Sequence, residues 1–212
     1  MGASNADAWA AIMAWPDWPH RTSLIIGAEG TGKTHLAAVW RERSGARIIG
    51  AGDLTDTDPV SLVQAGPLCV ENCDRATLDE PVLFHLLNAV QAAGSHLLLT
   101  ARIPPAEWRI STRDIASRLR AIPPLTIGVP EDELLERVLA KLFADRQLTV
   151  EPTVASYLVR RIERSFRAAN RLVDLLDREA LARRRPVTRR MAGEVLEAEG
   201  FGGDDDPDDT AS

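Results

Sequence analysis

Apolar positions in the first two thirds of the chain fall in short runs instead of long stripes. Ser23-Leu24-Ile25-Ile26, Arg47-Ile48-Ile49, Leu68-Cys69-Val70, His96-Leu97-Leu98-Leu99 and Leu125-Thr126-Ile127-Gly128-Val129 are each three to five residues long. Runs of this length suit strands buried on both faces. Segments of helix length, 32–43, 79–93 and 111–119, lie between them. A further short helix is predicted at 4–14, capped by Ser4 or Asn5, and Trp15-Pro16-Asp17-Trp18-Pro19 ends it because each proline disfavours helix in the residue before it. This alternation predicts an α/β body, about 1–129, built on a five-stranded parallel sheet.

After Pro130 the period changes. Glu131-Asp132-Glu133 opens a helix, where acids suit the positive end of the dipole, and Leu134, Leu135, Val138, Leu139 and Leu142 follow at helical spacing. Further helices are predicted at about 152–163, 165–182 with Ser165 as cap, and 188–198. Residues 130–200 therefore read as a small all-helical unit. From 201 to 212 the chain has almost nothing to bury and reads as a disordered acidic tail.

Composition narrows the function classes. The chain has 212 residues, 45% hydrophobic and 26% charged, an ordinary globular balance, with net charge −6. Five of the acids are Asp204, Asp205, Asp206, Asp208 and Asp209, so residues 1–203 are close to neutral. That argues against binding duplex DNA by bulk charge, and no sequence-specific DNA binding is expected. No apolar run approaches the roughly 18 residues of a membrane span. Met1–Ile12 has no Lys or Arg ahead of its apolar residues, so no secretory signal is expected. Two cysteines, Cys69 and Cys73, make neither a disulfide framework nor a zinc site, and a reducing cytoplasm is the simplest setting.

The chemistry is concentrated at Gly27-Ala28-Glu29-Gly30-Thr31-Gly32-Lys33-Thr34, which fits G-x-x-x-x-G-K-[ST] in full. It follows a predicted strand and opens a predicted helix, as phosphate binding requires. Gly27, Gly30 and Gly32 let backbone N–H groups turn inward, Lys33 reaches the β- and γ-phosphates, and Thr34 serves Mg²⁺. ADP or ATP with Mg²⁺ is the expected ligand. Such sites need an acid at the end of a later strand, and Glu71 after Leu68-Cys69-Val70 is the candidate for holding Mg²⁺ through water. The next position is Asn72, and an amide cannot serve as a general base. Strong nucleotide binding with weak intrinsic hydrolysis is therefore expected. Asp74, two residues further on, could substitute for that acid but reads as pointing elsewhere. His35 reads as a packing residue; His20, His85 and His96 show no metal-ligand spacing. Trp15 and Trp18 could wall an adenine pocket or simply pack in the proline-rich turn. Residues 158–190 hold eleven Arg against four acids, mostly a solvated helix face with pairs such as Asp174–Arg178.

Several segments together carry a family resemblance. Gly2-Ala3-Ser4-Asn5-x-x-Ala8, the Gly-Lys-Thr-His-Leu-Ala continuation of the loop (32–37), Leu97-Leu98-Leu99-Thr100 and Asp114-Ile115-Ala116-Ser117-Arg118-Leu119 resemble the AAA+ module of the replication initiator DnaA. The chain length is similar to that of the Hda family of DnaA-related regulatory inactivators. Trp15–Pro19 and Val70-Glu71-Asn72 resemble the alphaproteobacterial branch. The resemblance covers about residues 2–199. It implies an AAA+ P-loop body followed by a helical lid, acting as a regulator that promotes hydrolysis of the ATP held by DnaA on a DNA-loaded sliding clamp. It implies Arg118 as an arginine finger supplied in trans, worth roughly 10³–10⁵-fold in phosphoryl transfer. It also places Thr100 at sensor 1 and Arg167 at sensor 2, both toward the nucleotide. A homodimer is a further expectation. The chain departs from the pattern twice: Arg102 stands where the family often has an acid, and no clamp-binding peptide resembling Q-L-x-L-P is found, the glutamines being Gln64, Gln91 and Gln147. A helicase-loader-like adaptor shares the Gly-Lys-Thr-His-Leu-Ala signature. A self-sufficient P-loop kinase would need an acceptor motif, and none is seen.

Overall fold

Successive residues of the apolar runs are buried in two different cores by turns, which sorts their side chains onto two faces. Leu24, Ile26, Leu68, Val70, Leu97 and Leu99 point into one core, and Ile25, Cys69 and Leu98 into another. A sheet buried on both faces results. The computed structural model describes residues 2–55, 57–75 and 78–200. The expected acidic tail, 201–212, lies outside the described residues.

The chain forms two compact units, Ser4–Gly128 and Val129–Ser212 with Met1–Ala3. In the first, α1 (Ala6–Met13) leads to β1 (Thr22–Gly27), α2 (Lys33–Ser44), β2 (Arg47–Gly50), α3 (Pro59–Gln64), β3 (Leu68–Glu71), α4 (Glu80–Ala93), β4 (Leu97–Ala101), α5 (Arg113–Arg120) and β5 (Pro124–Ile127). The sheet order is β2-β3-β4-β1-β5, and every neighbouring pair is parallel. Parallel strands send all their C-terminal ends to one edge, where open α/β sheets bind ligands. Ile12, Leu36 and Trp40 cover one face, from α1 and α2. Leu62, Leu83, Leu86 and Leu119 cover the other, from α3, α4 and α5.

The helix α3 was absent from the predicted pattern because six residues are too few to show a period. Its signal is local: Asp58 accepts from the N–H groups of Val60 and Ser61, and Pro59 opens the first turn. Strand β4 runs two residues beyond the apolar run, through Thr100 and Ala101, and β5 stops at Ile127 because the Gly128 N–H turns to the Ser4 carbonyl.

The proline-rich turn after α1 is a packing device. Trp18 stacks on Trp40 at 5.1 Å, and its Nε1 donates to the Ala11 carbonyl. Trp15 and Trp18 both pack edge-on to His96, at 6.0 and 5.7 Å. Both indoles pack against this cluster. His96 is 8% exposed, lies 3.3 Å from Arg21, and bonds the Pro16 carbonyl. Burial first, then the Arg21 charge, lowers its pKa below the ordinary value. The unfolded chain thus binds a proton that the folded chain resists. Stability is complete above the unfolded value of about 6.5 and falls as pH drops below it. The unfolding midpoint should decline between pH 7 and 5.5, and His96→Gln should flatten that decline. An unchanged slope in the variant would assign the pH dependence to other groups.

The second unit holds α6 (Asp132–Asp145), α7 (Pro152–Val159), α8 (Phe166–Arg183) and α9 (Arg189–Ala198). Leu135, Leu139, Leu158, Leu172 and Leu176 are fully buried in its own core. Ser165 caps α8 through the Ala168 N–H, and Thr188 caps α9 through that of Met191. Asp174 pairs with Arg146 at the C-cap of α6, and not with Arg178 as its spacing suggested. A cross-helix partner supplied by packing displaced the i,i+4 pair. No helix among the described residues is long and apolar enough to cross a membrane.

Candidate functional site

The loop Gly27–Thr34 leaves β1 and enters α2 at the C-terminal edge of the sheet. Its glycines are demanded by geometry. Gly30 and Gly32 have φ of 79° and 102°, which side chains rarely adopt. A Cβ on Gly27 would come within 2.7 Å of the Ile127 carbonyl and of Thr31 Oγ1. Thr31, which sequence reasoning passed over, is 2% exposed and donates to the Ala28 carbonyl at 2.9 Å, tying the loop across itself.

Lys33, the first residue of α2, is 8% exposed. Its Nζ donates to the carbonyls of Gly27 at 2.6 Å and Ala28 at 2.8 Å. An ammonium has three N–H bonds, so a third is left for a phosphate oxygen. Burial lowers its pKa, and the carboxylates of Asp74 and then Glu29 oppose that shift. Thr34 follows, exposed, on the first turn of α2. His35 is also exposed there, not packed as expected.

The ends of β3 and β4 are stitched together beside this loop. The Asn72 N–H donates to Thr100 Oγ1 at 3.2 Å, and the Cys73 N–H to the Thr100 carbonyl at 2.9 Å. Asn72 has φ 59°, a left-handed value that asparagine tolerates, and it folds the chain back at that point. Glu71 is half-buried at the end of β3, opposite Gly50. Past the reversal at Asn72, the Asp74 carboxylate is committed to Arg102. Asp74 has a fully buried side chain and is the foremost carboxylate supporting the Lys33 charge. It accepts from the Arg102 backbone N–H at 3.0 Å and from Arg102 Nε at 2.7 Å. Hydrogen bonds from Arg102 overcome its burial and hold its carboxyl below the ordinary range. The acid missing at position 102 is thus balanced by an acid at 74. A second pair, Arg75–Glu29, joins this turn to the phosphate loop.

The cysteines are inert here. Burial holds Cys73 at about 12 and Cys69 well above its ordinary value, so neither is a thiolate nucleophile.

Arg118 lies on the last turn of α5, with its side chain 44% exposed. Arg167 is the second residue of α8, exposed, in the second unit. Arg164, nearby in sequence, pairs with Asp132 of α6 at 3.0 Å. Of the predicted site residues, the first unit brings Gly27, Gly30, Gly32, Lys33 and Thr34 together in one loop. Glu71, Asn72 and Thr100 stand on the neighbouring strand ends.

Residues 132–196 match the family model described as the Hda lid domain. The fold is similar to that of domain III of the Thermotoga maritima replication initiation protein DnaA, with TM-score 0.80, 16% identity, and 93% of each chain covered. It is also similar to a replication initiator DnaA bound to AMPPCP and single-stranded DNA, with TM-score 0.67, 17% identity, and 87% of this chain and 65% of that one covered. The Thermotoga maritima RuvB Holliday junction branch migration motor gives a TM-score of 0.69 at 16% identity, with 92% and 66% covered. With its five-stranded parallel sheet, its phosphate-loop motif and a segment, 132–196, that matches the Hda lid domain, the chain is similar in fold to domain III of DnaA.

Proposed function

We propose that this protein is a nucleotide-binding regulator of chromosomal replication initiation that stimulates hydrolysis of the ATP carried by DnaA. It binds ADP or ATP through Gly27, Gly30, Gly32, Lys33 and Thr34, and the neighbour bound to AMPPCP supports a nucleotide in this fold. Thr100, at the end of β4 beside the loop, completes the set within the first unit. Mg²⁺ fits the hard oxygen donors present, the Thr34 hydroxyl directly and the Glu71 carboxylate through water. Among the described residues no group of three or more His, Cys, Asp or Glu could hold a metal alone. That suits an ion bound chiefly by the nucleotide's own phosphates. Bound there, Mg²⁺ neutralises phosphate charge.

The observation that carries the reading is a full phosphate cradle without an acid at the water-activating position. Asn72 stands there in a left-handed turn, its N–H committed to Thr100. Such a site holds nucleotide and turns it over poorly. The protein's chemical contribution is then made elsewhere, by a cation delivered to another subunit's nucleotide. Arg118 is half-exposed on a rigid helix and has the guanidinium such a role uses. Its partners, on the family likeness, are DnaA and a DNA-loaded sliding clamp. The three glutamines, Gln64 and Gln91 in helices and Gln147 just after one, supply no extended clamp peptide. A homodimer, with Arg118 offered to a second copy, is the resting form we propose.

ATP turnover tests this in three mixtures: the protein alone, DnaA–ATP alone, and both with DNA-loaded clamp. Turnover should be weak in the first two and rise at least about tenfold in the third. A third mixture no faster than the second would overturn the assignment.

A further inference from the structure

Beyond the finger itself, we propose that Asn88, with Phe84 and Asp114, is a positioning device that sets the Arg118 guanidinium for action in trans. The proposal rests on the reading of Arg118 given above and adds residues that the sequence did not single out.

Three contacts converge on one side chain. Arg118 Nη1 donates to Asn88 Oδ1 at 2.7 Å. Arg118 Nε lies 3.0 Å from Asp114 Oδ2, one turn earlier on α5. Arg118 Cζ lies 5.1 Å from the centre of the Phe84 ring, within range of a cation–π contact. Nη2 makes no hydrogen bond among the described residues. The guanidinium is therefore held through two of its nitrogens while the third keeps two N–H bonds for a phosphate oxygen.

The contacts come from a regular stripe. Glu80, Phe84 and Asn88 recur every four residues on α4, so they share a helix face. Glu80 Oε1 accepts from the Ser111 N–H and hydroxyl at 2.7 and 2.9 Å, and Oε2 from the Thr112 N–H at 2.8 Å. These bonds hold the Glu80 carboxyl down at about 2. Glu80 thus anchors the two residues that lead into α5, Ser111 and the N-cap Thr112. One face of α4 fastens both ends of α5, the far end through Arg118.

The acceptor chemistry fits positioning. A buried carboxylate facing Arg118 would neutralise it, whereas the neutral amide of Asn88 orients the guanidinium and leaves its charge. The carboxylate present, Asp114, is 54% exposed, where an ion pair is weak. A free arginine loses much rotamer freedom when it docks, and a braced one has already lost it.

The test is stimulated turnover as a function of this protein's concentration, with DnaA–ATP and DNA-loaded clamp. Asn88→Ala should lower the maximal rate about tenfold and leave the half-saturating concentration unchanged. Asn88→Gln, which keeps the amide, should recover part of that loss. In an Arg118→Ala background, Asn88→Ala should have no further effect. A maximal rate that is unchanged or raised, a change confined to half-saturation, or an added loss in the Arg118→Ala background overturns the proposal. Unfolding midpoints of the two single variants and the double variant provide a separate reading of the brace. Non-additive shifts support the Asn88–Arg118 contact, and additive shifts overturn it. A wild-type protein that stimulates nothing removes the functional reading, and with it the purpose given to the brace. The unfolding cycle still reports whether the brace exists.

Discussion

Lys33→Ala should weaken binding of ADP and ATP at least about 100-fold, measured by equilibrium titration of the purified protein. Each hydrogen bond to a charged group contributes about 1.5–3 kcal/mol, and an ammonium facing phosphates adds direct charge attraction in a partly dry loop. Lys33 is held at the base of the cradle by the Gly27 and Ala28 carbonyls, so its charge is already in place when phosphate arrives. Alanine removes that charge and also leaves Asp74 and Glu29 with less to oppose their repulsion of an anion. Both effects act in one direction. An affinity within threefold of wild type would show that the loop does not hold phosphate through Lys33.

Arg118→Ala should reduce DnaA-directed hydrolysis roughly 10³-fold in single-turnover measurements, while binding of nucleotide to the protein's own loop is unchanged. A guanidinium that meets the transferring phosphoryl group only in the transition state lowers the rate of chemistry and not the affinity. The same variant should fold normally. It loses an exposed hydrogen bond, an exposed ion pair and a cation–π contact, while the α5 core residues Ile115 and Leu119 and the Glu80 bonds to Ser111 and Thr112 remain. A stimulated rate within threefold of wild type would move the catalytic cation to another residue.

The fold was largely legible in the sequence, because strands buried on both faces leave short apolar runs and the phosphate loop is contiguous. Five strands and the four later helices stand within a few residues of the pattern. Where the pattern gave out, the cause was tertiary. Trp15 and Trp18 were ambiguous because nothing local shows that His96 and Trp40, far along the chain, complete their cluster. The Asp74–Arg102 pair has no local signature because a left-handed asparagine reverses the chain just before Asp74, and Arg102 lies 28 residues away. The signal that could have found the pair was there: a base where an acid is usual, and a spare acid after β3. Asn88 carried no signal at all, since an asparagine on a helix gains meaning only from the arginine packed against it.

The fastening of α5 sets how a partner would be met. Leu83, Leu86 and Val90 seat α4 on the sheet, Glu80 and Arg118 seat α5 on α4, and Ile115 and Leu119 close the space between. No flexible arm intervenes between the strands and the guanidinium. The reach of Arg118 is therefore a fixed dimension of the scaffold, like the throw of a key cut to one lock. On the proposed role of Arg118 in trans, a subunit that presented its nucleotide a few ångströms out of line would gain nothing from waiting. Discrimination among ATP-bearing partners would then fall to the fit of two stiff faces.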